Sequence, residues 1–315
     1  MIHLAPYPSP SVLAPWIAPT AAPPTWDGDL LAFPLPALTP AMEANIVSFG
    51  HPQWARQYLE QAHRSSTFQH RWLAATGSWH NKVVVDIGCG PGNVYAALRE
   101  HCGIPQVVIG VDISRGGLLI AKQAGYLPVL ADAHQLPFVD GFADLVLLNA
   151  TLHHCENMAV VLQEAARILR PGGKLVIDHD PQKTMWKANW LAHLLWQSRL
   201  FIYRAMGHSW HANSEQQHWV VLSEIHHRPG AGVTPTLFQQ TLAPLGLTVH
   251  TYCHNGSAGA EVLRGVRGRA GWKIRLAQRL TGVDPDSPEG AMVVMCVAQR
   301  GNDSPVSKIL PTVSV

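Results

Sequence analysis

The sequence predicts an α/β fold in which a mostly parallel, doubly wound sheet is covered by helices on both faces. Between residues 82 and 180, short apolar runs alternate with segments of helical periodicity. Each run is almost wholly apolar, which is typical of parallel strands that are buried on both faces. The first run ends in a glycine-rich turn that opens a helix. Together these observations indicate repeated strand–helix–strand units.

The elements of this region are predicted in order along the chain. Residues 92–101 and 114–125 have helical character. Residues 157–170 form an amphipathic helix that begins at Asn157, a favourable N-cap residue. A Pro-Gly-Gly sequence at 171–173 ends that helix. The five predicted strands are KVVVDIG (82–88), VVIGVDIS (107–114), YLPVLAD (126–132), DLVLLNA (144–150) and KLVIDHD (174–180).

An arm, a cap and insertions are predicted around this core. Residues 1–40 hold ten of the 24 prolines, and proline favours extended chain over helix. The predicted segments are a Pro-rich arm (1–50), a helical cap (51–80), the core (81–180), a helical lid (181–235), the C-terminal part of the core (236–300) and a tail (301–315). The C-terminal part of the core includes a basic insertion at 256–290 and a last strand at 291–300.

Composition excludes several classes of protein. The 315 residues carry a net charge of +2, and only 14% of them are charged. A binder that depends on a strong basic field is therefore excluded, and no DNA partner is expected. No run of about 18 apolar residues occurs, so no membrane-spanning helix is expected. Five widely spaced cysteines without a C-x-x-C pair argue against a disulfide framework and favour a reducing cytoplasm.

The glycine loop between the first strand and its helix predicts a nucleoside site. In VVVDIGCGPGNV (83–94), the glycines allow a sharp turn and close approach of a ligand. A dinucleotide site requires G-x-G-x-x-G, but position 93 is Asn. Asp86, two residues before the first glycine, suits an amino group better than a pyrophosphate. Asp112 lies 20 residues after Gly92, at the distance from which an acid reaches ribose hydroxyls.

Residues 82–180 resemble the class I S-adenosylmethionine-dependent methyltransferases of the broad small-molecule type. The motifs that carry the resemblance occur in order: VVVDIGCGPGNV, VIGVDIS, ADAHQLPFVDGFADLVLLNATLHH and ILRPGGKLVI. The resemblance implies a Rossmann-like sheet of seven strands whose last strand, at 291–300, runs antiparallel to the others. It also implies S-adenosyl-L-methionine as the cofactor.

The same resemblance assigns cofactor-binding residues. Asp86 and the glycine-loop backbone would hold the methionine end, and Asp112 would bind both ribose hydroxyls. Ile113 would lie on the adenine, and Asn149 would approach the sulfonium. The complete predicted set is Asp86, Gly88, Cys89, Gly90, Gly92, Asp112, Ile113, Asp132, Ala133 and Asn149.

Histidines near two strand ends are the candidate catalytic groups. His153 and His154 follow the fourth strand, and His179 lies between two acids at the end of the fifth. Each has a simpler interpretation: packing around the cofactor, or an exposed polar strand end. A metal site was also considered for the insertion's histidines, but no H-E-x-x-H pattern occurs and no metal is expected. Those histidines are His208, His211, His218, His226 and His227.

The aromatic stretch 184–206 is predicted to roof an apolar acceptor pocket. Trp190 and Trp196, together with His153, are the candidate substrate-binding residues. Alternatives stay open for both insertions. Residues 184–206 could instead make peripheral membrane contact. The basic stretch 262–280 could be a solvated face, or could contact an acidic substrate, a phospholipid surface or RNA.

The function that the sequence predicts is methyl transfer to an O, N or C atom of a small, lipophilic or aromatic acceptor. A nucleotide-dependent oxidoreductase and a non-catalytic S-adenosylmethionine-binding protein are the alternatives. Asn93 in place of the third fingerprint glycine argues against the first of these.

Overall fold

Nine strands form one sheet in the parts of the chain that this computed structural model describes, namely residues 10–28, 30–205 and 214–302. Their order across the sheet is β1-β2-β5-β4-β3-β6-β7-β9-β8. The strands are β1 (Thr25–Asp27), β2 (Leu30–Ala32), β3 (Val83–Ile87), β4 (Val107–Asp112), β5 (Leu127–Leu130), β6 (Ala143–Asn149), β7 (Leu169–Pro181), β8 (Leu247–His254) and β9 (Val293–Arg300).

The predicted fold class is confirmed. Strands β5, β4, β3, β6 and β7 pair in parallel, and β9 runs antiparallel to both β7 and β8. The strand count is larger than the predicted seven because the arm adds two strands. β2 pairs in parallel with β5, placing Leu31 opposite Val129, and β1 pairs antiparallel with β2.

Helices cover both faces of the sheet. Asn157 caps α6 as predicted, since its side chain accepts a hydrogen bond from the Val160 amide at 3.2 Å. The α-helices in the described residues are α1 (Pro40–Gly50), α2 (Pro52–Gln61), α3 (Ser66–Thr76), α4 (Asn93–Leu98), α5 (Arg115–Gln123), α6 (Met158–Ile168), α7 (Trp190–Ala205), α8 (Ser214–Ser223), α9 (Pro235–Leu242) and α10 (Trp272–Leu280).

Two apolar cores lie on opposite faces of the sheet. Alternate residues of β3 show this: Val83 and Val85 belong to one core, and Val84 belongs to the other. The first core packs against α6 and α9, and the second against α3, α4 and α5. A strand with both faces buried has to be apolar throughout, which explains why its sequence lacks polar alternation.

The Pro-rich arm is partly helical. Residues 40–50, the last part of the predicted Pro-rich arm, form α1. Thr39 caps this helix by accepting a hydrogen bond from the Met42 amide at 3.2 Å, and Pro40 occupies its first turn, where its missing N–H is not needed. Before α1 the arm follows the sheet, where Trp16 stacks on Phe142 with the ring centroids 5.4 Å apart.

Both insertions leave the sheet at one edge. β8 runs in the same direction as β7, because both are antiparallel to β9. The segments with α7 and α8 after β7, and with α10 after β8, therefore start from the carboxyl edge. Within the described parts of the chain, no helix combines the length and the apolar character needed to cross a bilayer.

Candidate active site

A cleft opens at the carboxyl edge of the sheet, where β3, β4 and β6 end. It contains about 850 Å³ of space between protein atoms, part of it continuous with solvent. Parallel strands on either side of a reversal in strand order leave such a crevice at their carboxyl ends. Nine of the ten predicted cofactor-binding residues line it, namely Asp86, Gly88, Cys89, Gly90, Asp112, Ile113, Asp132, Ala133 and Asn149.

Gly92 is the predicted residue that does not line the cleft. It begins α4 with a φ of 91°, a conformation that favours glycine. A Cβ at this position would lie 2.8 Å from the Tyr126 ring and 3.1 Å from the Ala121 Cα atom. Its role in this structure is therefore close packing of the loop against α5 and Tyr126.

Gly88 and Gly90 have left-handed backbones for different reasons. Gly88 has a φ of 67°, and a Cβ there would lie 2.3 Å from the Thr151 Cγ2 atom. Gly90 has a φ of 51°, and a Cβ there would have one neighbour within 4 Å, the Phe49 ring at 3.8 Å. The space above Gly90 is therefore open to a ligand that contacts the backbone directly.

Asp86 is a buried carboxyl group with one oxygen available to a ligand. Its Oδ2 atom accepts a hydrogen bond from the Tyr126 hydroxyl at 2.7 Å. Its Oδ1 atom is also buried and has no hydrogen-bond partner among the described residues. Burial raises the pKa of Asp86 to about 7, despite the hydrogen bond from Tyr126. A cationic amino group would supply the missing partner, as S-adenosylmethionine does, so this residue fits the expected cofactor.

Asp112 connects the glycine loop to β4. Its Oδ2 atom accepts from the Gly90 amide and its Oδ1 atom from the Ser114 amide, both at 2.8 Å. Burial raises the pKa of Asp112 in spite of these hydrogen bonds. Each carboxylate oxygen retains a second lone pair, so the group can still accept from the two hydroxyls of a ribose.

Two further polar residues complete the predicted cofactor side. Asp132 accepts from the backbone amide of His134 at 3.0 Å and lies 2.8 Å from its Nδ1 atom. Burial acts to raise the pKa of Asp132, but these hydrogen bonds outweigh burial and lower it. Asn149 is buried at the end of β6, and its Oδ1 atom has no hydrogen-bond partner within the described parts of the chain.

A second wall of the cleft comes from α1 and α2. Met42, Asn45 and Phe49 line the cleft from α1, and Tyr58 lines it from α2. The rings of Phe49 and Tyr58 lie 5.7 Å apart, edge to face. The sequence analysis missed the α1 residues because α1 was assigned to the arm. The Thr39-Pro40 pair, a helix-start signal, could have identified them.

His154 lines the cleft beside this wall. Its ring lies 5.6 Å from that of Phe49, and its Nδ1 atom lies 2.9 Å from the Ser223 carbonyl oxygen. A carbonyl oxygen only accepts, so Nδ1 carries the proton and Nε2 keeps a lone pair. Burial lowers the pKa of His154 to about 3, so the ring is neutral at neutral pH.

His153 is not among the residues that line the cleft. Its Nδ1 atom lies 2.8 Å from Asp180 Oδ1, and its backbone amide donates to the same oxygen at 3.0 Å. Its ring lies 4.0 Å from that of His154. Burial lowers the pKa of His153 to about 3 and raises that of Asp180 to about 7. His153, held by Asp180, thus packs its ring against that of His154. Direct contact of His153 with a substrate remains a prediction.

His179 belongs to a buried charged cluster outside the cleft lining. Arg71 Nε donates to Asp178 Oδ2 at 2.9 Å, and His254 Nε2 lies 2.8 Å from Asp178 Oδ1. The His179 amide donates to the same Oδ1 atom at 2.8 Å, and its φ is 65°. This geometry gives His179 a structural role at the end of β7, and its catalytic role remains a prediction.

The predicted roof is not part of the cleft lining. Trp190 is 76% exposed at the start of α7, and neither Trp190 nor Trp196 lines the cleft. Their contact with a substrate remains a prediction. His208 and His211 lie outside the described residues. Within the described ranges, no three His, Cys, Asp or Glu side chains are arranged to hold a metal ion.

Comparisons with known proteins indicate the type of domain to which this cleft belongs. Residues 85–177 match the family model of a methyltransferase domain, Methyltransf_11. The chain is 32% identical over 157 residues to a demethylmenaquinone methyltransferase of Lactiplantibacillus plantarum, covering 46% of this chain and 60% of that protein. It is 32% identical over 150 residues to a tRNA (carboxymethyluridine(34)-5-O)-methyltransferase of Arabidopsis thaliana, covering 44% and 34%. A methyltransferase bound to its activator Trm112 from Haloferax volcanii has a TM-score of 0.49 and 18% identity, covering 80% and 97%.

The fold and the cleft define a Rossmann-like domain that binds an adenosine-containing cofactor. Together with the family match over residues 85–177, they indicate a domain of the class I S-adenosylmethionine-dependent methyltransferase type in this chain. S-adenosyl-L-methionine is the cofactor of this class, as the sequence predicted. The chain spans 60% of the length of the first of these two curated relatives and 34% of the second.

Proposed function

We propose that the protein transfers a methyl group from S-adenosylmethionine to an O, N or C atom of a small, lipophilic or aromatic acceptor that binds between α1, α2 and His154. One observation carries this proposal. The cleft is lined both by polar groups that fit the cofactor, such as Asp86 and Asp112, and by the apolar and aromatic side chains of Met42, Phe49 and Tyr58, with His154 against Phe49. An apolar wall with a few convergent polar groups is typical of small-molecule sites.

The nature of the acceptor is argued from this chain alone. The two curated relatives are named for acceptors as different as a quinone precursor and a tRNA nucleoside. The net charge of +2 offers little attraction for a polyanion such as tRNA. The edge-to-face rings of Phe49 and Tyr58 instead suit a planar or branched apolar molecule.

The residues of the cleft have separate tasks in this proposal. When bound, the cofactor supplies an electrophilic methyl group. Asp86 holds its amino group and Asp112 its ribose, which fixes the position of the reacting carbon. Met42 and Phe49 exclude water from the acceptor's side. Methyl transfer is an in-line displacement, so this alignment and exclusion of water are the main contributions that the protein makes.

His154 positions the attacking group. Its Nε2 lone pair accepts a hydrogen bond from a hydroxyl or amine of the acceptor. The low pKa keeps this lone pair available at neutral pH, but it also makes the ring a weak base. His154 therefore orients a hydroxyl or amine by accepting its hydrogen bond, and the proton that the acceptor loses on methylation passes to solvent.

Calorimetry with S-adenosylhomocysteine tests the cofactor side. The wild type is expected to bind it and not NAD, and Asp112→Ala to bind it about ten- to a hundredfold more weakly, because two charge-assisted hydrogen bonds are lost. Asp140→Ala is the matched control, since Asp140 is 41% exposed and pairs with Arg167 outside the cleft. Binding of NAD in preference to S-adenosylhomocysteine would favour an oxidoreductase.

Turnover is a separate measurement. S-adenosylhomocysteine should accumulate when the protein and labelled S-adenosylmethionine are incubated with an apolar extract of cell metabolites, and the label should appear in an organic-soluble product. Binding of the cofactor without any transfer across such extracts would indicate a non-catalytic binding protein. Transfer to RNA alone would contradict the proposed acceptor class.

A further inference from the structure

Helix α10 exposes large apolar side chains that an ordinary surface helix would bury. Trp272 is 71% exposed, Leu276 is 50% exposed and Leu280 is 58% exposed. These residues are four apart, so they form one stripe along the helix. On the opposite side, Gln278 is fully buried and donates to the Met185 and Gly290 carbonyl oxygens at 3.1 and 2.7 Å. The helix therefore buries Gln278 while its three large apolar side chains face outward, unlike an ordinary surface helix.

The first turn of α7 extends this apolar surface. Trp190 is 76% exposed and Leu194 is 54% exposed, again four residues apart. The preceding Asn189 donates to the Thr281 carbonyl oxygen at 3.1 Å, next to Leu280 at the end of α10. The two stripes are thus neighbours, and we call Trp190, Leu194, Trp272, Leu276 and Leu280 the α7–α10 patch.

Exposed cations surround the α7–α10 patch. Arg269, Lys273 and Arg279 are exposed on the α10 side, and Lys187 is exposed just before α7. No acidic residue occurs between positions 262 and 283. Of the acids that follow, Asp284 and Glu289 are exposed. Asp286 is also exposed and pairs with Arg275 at 2.7 and 2.8 Å and with Arg279 at 3.8 Å, so that three acids stand against the five cations Lys187, Arg269, Lys273, Arg275 and Arg279. The rim therefore presents a positive charge to whatever covers the patch.

We propose that the α7–α10 patch docks on the surface of a bilayer that contains anionic lipids. Tryptophan and leucine on one face with lysine and arginine beside them are the pattern of a helix that lies in the membrane interface. A second copy of the chain fits this patch less well. Two-fold symmetry would bring the positive rims of the two copies together, and like charges repel.

Docking on a bilayer would allow the membrane to supply the lipophilic methyl acceptor of the proposed reaction. Both insertions leave the carboxyl edge of the sheet, which is also the edge at which the cleft opens. A bilayer held against that edge can deliver a lipophilic molecule to the wall of Met42 and Phe49. The inference rests on the proposed function only in this respect, since docking itself needs neither cofactor nor acceptor.

Co-sedimentation with vesicles tests the docking. The full chain is expected to bind vesicles of phosphatidylcholine mixed with phosphatidylglycerol, and to bind pure phosphatidylcholine at least tenfold more weakly. The double variant Trp272→Ser/Leu276→Ser should lose at least tenfold in binding to the mixed vesicles, because it removes two inserted apolar groups. Lys273→Glu should weaken binding and reduce its dependence on salt.

Matched controls separate docking from folding and from catalysis. Ile104→Ser removes an apolar side chain that is 69% exposed in the loop before β4, at the opposite edge of the sheet, and should bind vesicles like the wild type. Binding of S-adenosylhomocysteine should be the same in all these variants. The proposal is overturned if the wild type ignores both kinds of vesicle, if the double variant binds as well as the wild type, or if sedimentation shows a dimer that the double variant dissociates. None of these results would affect the proposed methyl transfer, which fails only if the cofactor or turnover tests fail.

Discussion

The affinity for the cofactor should fall as the pH drops below 7, and Asp86 should be the cause. Its pKa of about 7 in the free protein reflects burial of a carboxyl group whose Oδ1 atom lacks a partner among the described residues. A bound ammonium group would stabilise the charged carboxylate and lower this pKa. Binding below pH 7 must therefore release the proton that Asp86 carries.

The size of the effect follows from that pKa. The charged fraction of Asp86 is about a half at pH 7, about a tenth at pH 6 and about a hundredth at pH 5. The α-amino group of the ligand, with an ordinary pKa near 7.7–8.0, stays mostly protonated over this range. The dissociation constant should therefore rise about tenfold for each pH unit below 7, until the pH reaches the lowered pKa of the complex.

Isothermal titration calorimetry with S-adenosylhomocysteine at pH 5.5 to 8 measures this dependence; the range is about one to two units on each side of the expected midpoint. Repeating the titration at about pH 6 in two buffers with different heats of ionisation counts the proton, and close to one should be released per ligand bound. Asp86→Asn should bind more weakly at high pH and show a much flatter profile. A flat profile for the wild type would refute the reasoning about burial. An unchanged slope in Asp86→Asn would assign the titration to another group, such as Asp112, whose pKa is also raised.

Three more measurements follow from the same contacts. Folding raises the pKa of Asp86 above its unfolded value of 3.8, so this carboxyl reduces the stability of the protein as the pH rises from 4 to 7. Chemical denaturation should show that Asp86→Asn raises the free energy of unfolding at pH 8 by up to about 4 kcal/mol and changes it little at pH 4. Gly90→Val should abolish S-adenosylhomocysteine binding at a cost of about 1–3 kcal/mol in stability, because its side chain enters open space in a left-handed backbone; binding at wild-type strength would contradict the close approach of the cofactor. His154→Phe should lower kcat about tenfold for a hydroxyl acceptor, because one orienting hydrogen bond is lost, while cofactor affinity changes less than twofold, and an equal loss in both would show that His154 holds the cofactor instead.

The strands and the glycine loop were predictable because their signals are local. A strand buried on both faces must be almost wholly apolar, as VVVDI at 83–87 is apart from the site residue Asp86. The helix beginning at Asn157 was predicted from a single side chain that satisfies a free amide in its own first turn. In such cases the physical cause and its sequence signature lie within a few residues of each other.

The arm shows where local signals mislead. Its prolines favour extended chain, yet the single Thr39-Pro40 pair is sufficient to begin α1. The strands β1 and β2 depend on pairing with β5, about 100 residues further along the chain. The hydrogen-bond partner of β2 is distant in sequence, so no pattern within residues 25–32 reveals that the sheet grows at this edge.

The sequence by itself determined the fold class, the type of cofactor and the edge of the sheet at which the cleft opens, because these depend on strand polarity and on glycines that must adopt left-handed backbones. Tertiary structure decided the rest. Only folding brings Tyr126 to Asp86, 40 residues away, and leaves Oδ1 of that carboxyl without a partner in the described residues. Only folding places Phe49 beside His154 and turns the apolar stripe of α10 outward. Burial and pairing of distant residues set these properties, and they are fixed when the elements pack together.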